Sequence, residues 1–352
     1  MKLMKAYMLA FLLLSAIFQG SGGLRVVVIG DSVDRFMVED WCVRHGGRLI
    51  TQADTRVDNA TDPVVSFLHH RFKENGARHN AWEFRVCHCA EYRVNVSFVM
   101  NKCGVRTNPP YWTPIRTMAG VEKELKNSKS VRQTVDISIG PALRALGHAA
   151  VLGGHVHAVL LQSNFWDLSV LRDTILDYGY DPSVTPPDYV APEPVGVSGY
   201  VPPPPPPADV VDRWVDGWGR NASHLMAAVR HRVRADVYFW RESTDFSVAT
   251  MGAWNDDIAN STKLLMDVRA WEETERSGYE LVPVSRVDDH HGIRRRDMLH
   301  PSVSAAAALF QYELRFIRSR IPGEQGQAET KGEAKGEAKG EGTDKGHVVV
   351  PL

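Results

Sequence analysis

The sequence predicts an α/β protein built around one mostly parallel β-sheet. Two observations carry this. Val26-Val27-Val28-Ile29 and Ala158-Val159-Leu160-Leu161 are apolar runs without alternation, the pattern of strands buried on both faces of a parallel sheet. Segments of helical length and periodicity alternate with such short runs along the chain, as they do when helices cover a parallel sheet. The 352 residues, 43% hydrophobic and 24% charged, suffice for one large soluble domain.

Residues 1–23 read as a secretory signal. Lys2 and Lys5 make a basic start, Tyr7 to Phe18 is nearly all apolar, and Gly20-Ser21-Gly22-Gly23 supplies small residues. The apolar core of about a dozen residues falls short of the roughly twenty that a membrane span needs, so no stable span is expected after cleavage. An uncleaved anchor is the alternative. One folded domain is expected over residues 24–322.

After the first strand, Val33 to Val43 reads as a helix with Phe36, Met37 and Trp41 on one side, ended by Gly46-Gly47. Arg48 to Thr51 reads as a second strand. Residues 52–80 are polar and rich in histidine, and read as a helix with loops. Trp82 to Val86 and Val94 to Met100 read as extended. Cys103-Gly104 opens a loop that Asn108-Pro109-Pro110 keeps irregular. Residues 119–133 form a charged surface helix, and Pro141 to Ala149 a short one.

The strand at Ala158–Leu161 delivers Gln162-Ser163-Asn164-Phe165-Trp166-Asp167 at its carboxyl end. Residues 182–207 are rich in proline and close with six prolines, a surface insertion of polyproline II character. Val210 to Val233 is helical, with Val211, Trp214, Val215 and Trp218 at helix spacing. Ala235 to Trp240 is a third core strand. Asp256 to Glu275 is a helix whose Ile258, Leu264, Leu265, Val268 and Trp271 are expected to face the core. Tyr279 to Val284 is the last strand, and a helix runs from His300-Pro301-Ser302 to about Ile317. Residues 323–352 carry a Gly/Glu/Lys tract with nothing apolar to bury and end in Val348-Val349-Val350-Pro351-Leu352, too short to stand alone, so they are expected to be disordered.

The compartment follows from several signals together. Asn59, Asn95, Asn221 and Asn260 each head an Asn-x-Ser/Thr sequon, so all four are expected glycosylation sites of a secreted or luminal chain. Cys42, Cys87, Cys89 and Cys103 are even in number and allow three connectivities. Cys87 and Cys89 share one face of an extended stretch and make poor partners, so Cys42 is expected to pair with one and Cys103 with the other. A formal net charge of −1 leaves no bulk electrostatic attraction for nucleic acid.

Three pieces distant in the chain carry chemistry. Gly30-Asp31-Ser32 ends the first strand, where ligands of parallel sheets gather. Asn164 ends a middle strand, and Asp297-Met298-Leu299-His300 precedes the last helix. A serine nucleophile needs a base to take its proton, and the base needs an acid to fix its tautomer. Asp297 and His300 in Asp-x-x-His supply both from one short turn. The developing oxyanion needs donors, for which the Ser32 N–H, the Asn164 amide and a glycine N–H, here Gly104, are the candidates. Gln162 is the alternative to Asn164.

These motifs resemble blocks I, III and V of the SGNH (GDSL-type) hydrolase superfamily. Gly30 to Arg35 as Gly-Asp-Ser-x-x-Arg, Ser163-x-x-Trp166-Asp167-Leu168 and Val237-Tyr238-Phe239-Trp240-Arg241 look most like its PC-esterase branch, which includes the trichome-birefringence-like proteins. The likeness spans about Leu24 to Arg318. It implies a flavodoxin-like three-layer α/β/α sandwich and a serine esterase acting on an acetyl or other small acyl group of a glycan or similar extracellular ester. The third block departs from the superfamily's Gly-x-Asn-Asp, and the second-block glycine has no clear match. O-acyltransfer to glycans uses the same triad and is the competing enzyme reading. A non-catalytic binding protein on the same fold is the other, which would not need Ser, Asp and His together.

Arg35, Trp166 and Asp167 are the remaining substrate-lining candidates. For Arg35, holding the first-block turn is the favoured role over binding a substrate anion, while Trp166 serves equally to fill the core. No cofactor is expected. No metal is expected either, since His155-Val156-His157 and Cys87-His88-Cys89 lack a carboxylate or cysteine partner at the usual spacing.

Overall fold

In a computed structural model of the chain, β1 (Leu24–Gly30) is the central strand of a seven-stranded sheet ordered β2-β3-β4-β1-β5-β6-β7. The structure describes residues 23–56, 61–62, 65–66, 68–70, 84–101, 140, 143, 155–163, 167, 208–244, 256–284 and 300–322. The other strands are β2 (Arg48–Thr51), β3 (Phe84–Cys89), β4 (Val94–Met100), β5 (Ala158–Leu161), β6 (Val237–Arg241) and β7 (Glu280–Val282). Among the described residues the long helices are α1 (Ser32–Arg44), α2 (Ala208–Arg232), α3 (Asp256–Ser277) and α4 (Val303–Arg320). A 3-10 turn spans Asp54–Arg56.

β1 pairs in parallel with β4 and β5, and β5, β6 and β7 continue in parallel. β3 runs against both β2 and β4. The sheet is therefore mostly parallel, as expected, with one reversed strand. Only four residues separate β3 from β4, enough for a hairpin but not for the crossover that a parallel pair requires. Its turn places Arg93 at φ 51, in the left-handed region.

Layers follow from which side of β1 each residue faces. Leu24, Val26 and Val28 join Met37, Val38 and Trp41 of α1 and Ala306, Phe310, Leu314 and Ile317 of α4 in one core. Trp41 donates from Nε1 to Gln311 Oε1 at 2.6 Å, fastening α1 to α4. On the other face Trp240 of β6 meets Trp218 of α2 edge-on, with ring centroids 6.0 Å apart. α2 also buries Leu225, Met226 and Val229, while α3 buries Met266 and Ala270. The result is an α/β/α sandwich with α1 and α4 on one side and α2 and α3 on the other.

The expected core face of α3 is wrong. Leu264 is 65% exposed, Val268 47% and Trp271 52%. The buried side carries Thr262, Met266, Ala270, Glu273 and Thr274 instead. Small residues and ions set this interface. A side chain at Gly219 of α2 would meet Arg269 Cγ at 2.5 Å, and Arg269 also faces Asp216 at 3.4 Å. At the far end Ser223 and Ser277 hydroxyls lie 3.2 Å apart.

Cys42 and Cys87 form a disulfide joining α1 to β3, which settles the first half of the expected pairing. The second half is corrected: Cys89 is a buried free thiol that donates to the His45 carbonyl at 3.4 Å, and burial raises its pKa. Cys103 lies outside the described residues. The bridge closes a loop with a sequence separation of 45, for which loop entropy gives about 4 kcal/mol. Cys42→Ala/Cys87→Ala is expected to lower the urea unfolding free energy by about 2–5 kcal/mol. An unchanged midpoint and slope would show that the bridge constrains nothing.

Asn95 is corrected as a glycan site. It is 2% exposed within β4 and bonds the His88 ring, so the folded sheet has no room for a glycan there. Asn221 is half-buried on α2, and Asn260 falls within α3. Asn59, the expected signal apart from Gly23, the proline-rich insertion and the terminal tail lie outside the described residues, as do the expected helices at 119–133 and 141–149 apart from Leu143. Among the described residues no helix is long and apolar enough to cross a membrane.

Candidate active site

β1 ends at Gly30, and the chain turns straight into α1 with Ser32 as the first helical residue. Asp31 is the N-cap. Its Oδ1 accepts from the Val33 N–H at 2.8 Å, while its own N–H donates to Asp34 Oδ2 at 2.9 Å. This reciprocal capping box pins the turn that presents Ser32. A side chain at Gly30 would meet Asp34 Oδ2 at 2.0 Å, so the close approach of that carboxylate is what requires glycine.

The expected base, His300, arrives from the other end of the chain. His300 Nε2 lies 2.8 Å from Ser32 Oγ, a full hydrogen bond. Its ring packs edge-on against Phe36, one turn along α1, with centroids 4.7 Å apart. Ser302 caps α4 two residues later, accepting from the Ala305 N–H. Both partners are half-buried, within reach of a ligand at the carboxyl edge of the sheet. The Ser32 N–H belongs to the first helical turn, where no intrahelical acceptor exists, so it is available to an oxyanion.

Of the other expected residues, Asp297, Asn164, Gly104 and Trp166 lie outside the described residues. Arg35 is half-buried on α1, with its guanidinium 4.4 Å from the Phe36 ring centroid and 3.8 Å from Glu39. Asp167 is corrected: it is 2% exposed and turned inward rather than lining a cleft. It accepts from Ser163 Oγ at 3.0 Å and from Trp218 Nε1 at 3.1 Å. Asn101, missed in the sequence, extends this network by donating to Ser163 Oγ at 3.2 Å, and its N–H bonds the Gly30 carbonyl at 2.6 Å. The buried polar groups after β4 and β5 thus brace the segment beside Ser32.

Behind Ser32 lies a cluster of buried charge. Arg241, the last residue of β6, is 0% exposed and donates from Nε to Asp34 Oδ1 at 2.9 Å. Glu313 of α4 lies 3.5 Å from the same nitrogen. Burial would pull the guanidinium pKa down, but Asp34, Glu313 and Asp31 more than offset this and raise it. Burial pushes Asp31 up to about 7, with Asp34 adding and Arg241 opposing. Burial pushes Glu313 up to about 8, against the pull of Arg241. On the other side of the sheet burial pushes Asp267 up to about 7, although Lys263 and the Ser243 N–H favour its charge.

Three acids with raised pKa values give stability a direction in pH. The folded chain keeps protons that the unfolded chain has released, so their contribution is complete below the ordinary carboxylate range. It is lost as pH rises through 7 and 8. Glu313→Gln removes one such proton and is expected to flatten the fall in stability by about 1.4 kcal/mol per pH unit between pH 5 and 7. Urea melts at several pH values check this, and an unchanged slope would contradict it.

One metal expectation needs amending. Asp236, just before β6, does meet the histidine pair, with its Oδ2 2.8 Å from His155 Nε2. The spacing that sequence alone lacked is supplied by adjacent strands, at the amino edge, opposite Ser32. Yet the Arg25 N–H donates to His157 Nδ1 at 3.0 Å, which places the ring proton on Nε2 and leaves no lone pair there for a metal.

Fold and site together define an α/β/α protein with a serine–histidine pair at the carboxyl edge of its sheet. Similar solved structures include a variant of Axe2, an acetyl xylan esterase from Geobacillus stearothermophilus. It is 11% identical with a TM-score of 0.34, covering 84% of this chain and 94% of that one. A protein from Parabacteroides merdae assigned as a GDSL-like lipase is 11% identical with a TM-score of 0.36, covering 84% and 96%. A protein from Slackia heliotrinireducens assigned as an SGNH hydrolase is 11% identical with a TM-score of 0.31, covering 83% and 98%. No protein-family model and no curated protein sequence matches the chain. The likeness is distant, and the functional reading rests on the site itself.

Proposed function

We propose that this protein is a serine esterase of the SGNH type, acting on a small acyl ester of a glycan or similar extracellular molecule. The observation that carries it is the 2.8 Å contact between Ser32 Oγ and His300 Nε2 at the carboxyl edge of β1. In the reaction His300 takes the Ser32 proton as Oγ attacks the acyl carbon. The tetrahedral oxyanion is held by the Ser32 N–H and the Asn164 amide. Collapse expels the alcohol, which takes the proton from His300, and leaves an acyl-Ser32 ester. Water, deprotonated by His300, then releases the acid. Asp297 orients the imidazole throughout. Acetyl as the acyl group and glycan as its carrier come from the motif likeness to the PC-esterase branch.

The test is acetate release from acetylated xylan and from 4-nitrophenyl acetate, with mass spectrometry for an acyl-Ser32 intermediate. Release with acylation of Ser32 supports the reading. Acetate appearing on an added sugar instead would make the protein an acyltransferase using the same groups. No acylation of folded protein by any acetyl ester would overturn both.

A further inference from the structure

Burying a guanidinium among carboxyl groups is costly, and an apolar residue at the end of β6 would pack the sheet against α1 and α4 without that cost. What the ion pair supplies is direction. Arg241 Nε bonds Asp34 Oδ1, and Asp34 Oδ2 accepts the N–H of Asp31, the residue immediately before Ser32. One continuous chain of hydrogen bonds therefore runs from β6 to the backbone that aims the nucleophile. Glu313 faces the same guanidinium from α4, the helix that His300 leads into. Arg241 is thus the side chain at which β6, the nucleophile helix and the base helix meet.

We infer that Arg241, acting through Asp34, is a positioning residue that fixes the Asp31–Ser32 turn so that Ser32 Oγ meets His300 Nε2. This rests on the esterase reading above. Arg241 touches neither the reacting atoms nor substrate. It holds the Asp34 carboxylate in the one orientation that can accept from Asp31 and still leave Gly30 its space. Without the guanidinium that carboxylate loses its charged partner, and the turn loses its anchor to the sheet. Misplacement of the nucleophile by about 1 Å costs on the order of 100-fold in rate.

The experiment compares wild type, Arg241→Met, Arg241→Lys and Asp34→Asn. Three readouts are taken for each: thermal melting, the rate of fluorophosphonate labelling at Ser32 with kcat and KM for 4-nitrophenyl acetate, and the 15N resonance of His300 Nε2. Arg241→Met is expected to melt cooperatively, label about 100-fold more slowly, lose kcat at nearly constant KM, and shift the His300 resonance. Arg241→Lys, which keeps the charge and a donor, is expected to recover most of the labelling rate. A merely structural role would lower the melting temperature and leave labelling and the resonance of the folded protein unmoved, and that result overturns the inference. If Arg241→Met does not fold, Asp34→Asn carries the test. It keeps the side-chain shape, and an unmoved resonance with wild-type labelling would overturn the inference equally. If wild type itself neither labels nor turns over ester, the esterase reading fails, and the His300 resonance alone decides the positioning role.

Discussion

Ser32→Ala is expected to reduce ester turnover by about a million-fold, the scale on which an enzyme loses its serine nucleophile. The melting temperature is expected to stay within a few degrees, because Ser32 is half-buried and neither caps α1 nor fills the core. Asp31 does the capping. His300→Ala is expected to cost nearly as much, and the double variant no more than either alone, since the two groups act as one unit. Turnover of one ester by wild type and all three variants checks this. Retained activity in Ser32→Ala would remove the nucleophile assignment. Additive losses in the double variant would mean that the contact between Ser32 and His300 is not the working one.

Gly30→Ala is expected to destabilise the fold strongly for a single added methyl group. The new Cβ would sit 2.0 Å from Asp34 Oδ2, so that carboxylate must leave. It is fixed on two sides, by the Asp31 N–H and by Arg241. Displacing it breaks the capping box and strands a buried guanidinium together. A loss of roughly 2–4 kcal/mol is expected, from overpacking and a broken buried pair. The fluorophosphonate labelling rate should fall with it. Gly46→Ala is the control. Gly46 sits at φ 64 with open space where a Cβ would go, so only the left-handed backbone resists, at about 1–2 kcal/mol. Urea melts and labelling of both variants decide the matter. A Gly30→Ala protein that melts and labels like wild type would show that the turn has room to spare.

Much of the architecture was legible because buried parallel strands announce themselves. Val26 to Ile29 and Ala158 to Leu161 are apolar at every position, and both lie at the centre of the sheet. The motifs at their carboxyl ends follow from that placement, and Ser32 and His300 do meet. Helix α3 was misread for a physical reason. Periodicity finds an apolar stripe but not the side of the helix that the fold covers. Here Gly219 and the ion pairs of Arg269 select the face that packs. Asp236 was missed because its distance from His155 is set by strand pairing and not by spacing in the chain. The buried charge of Asp34, Arg241 and Glu313 was hidden likewise. Each reads as an ordinary surface charge until β6, α1 and α4 converge.

Ser32 and His300 are 268 residues apart in sequence, and they sit at the starts of the two helices that pack against each other beneath β1. During synthesis the turn at Ser32 emerges early and waits for His300. A nascent chain therefore has no Ser32–His300 contact until α4 has left the ribosome and docked. The same closure brings the two flanks of the fold to one place: the Leu24 N–H and the Arg318 guanidinium bond the adjacent carbonyls of Arg93 and Tyr92. The β3–β4 hairpin turn is the clasp on which β1 and α4 are fastened.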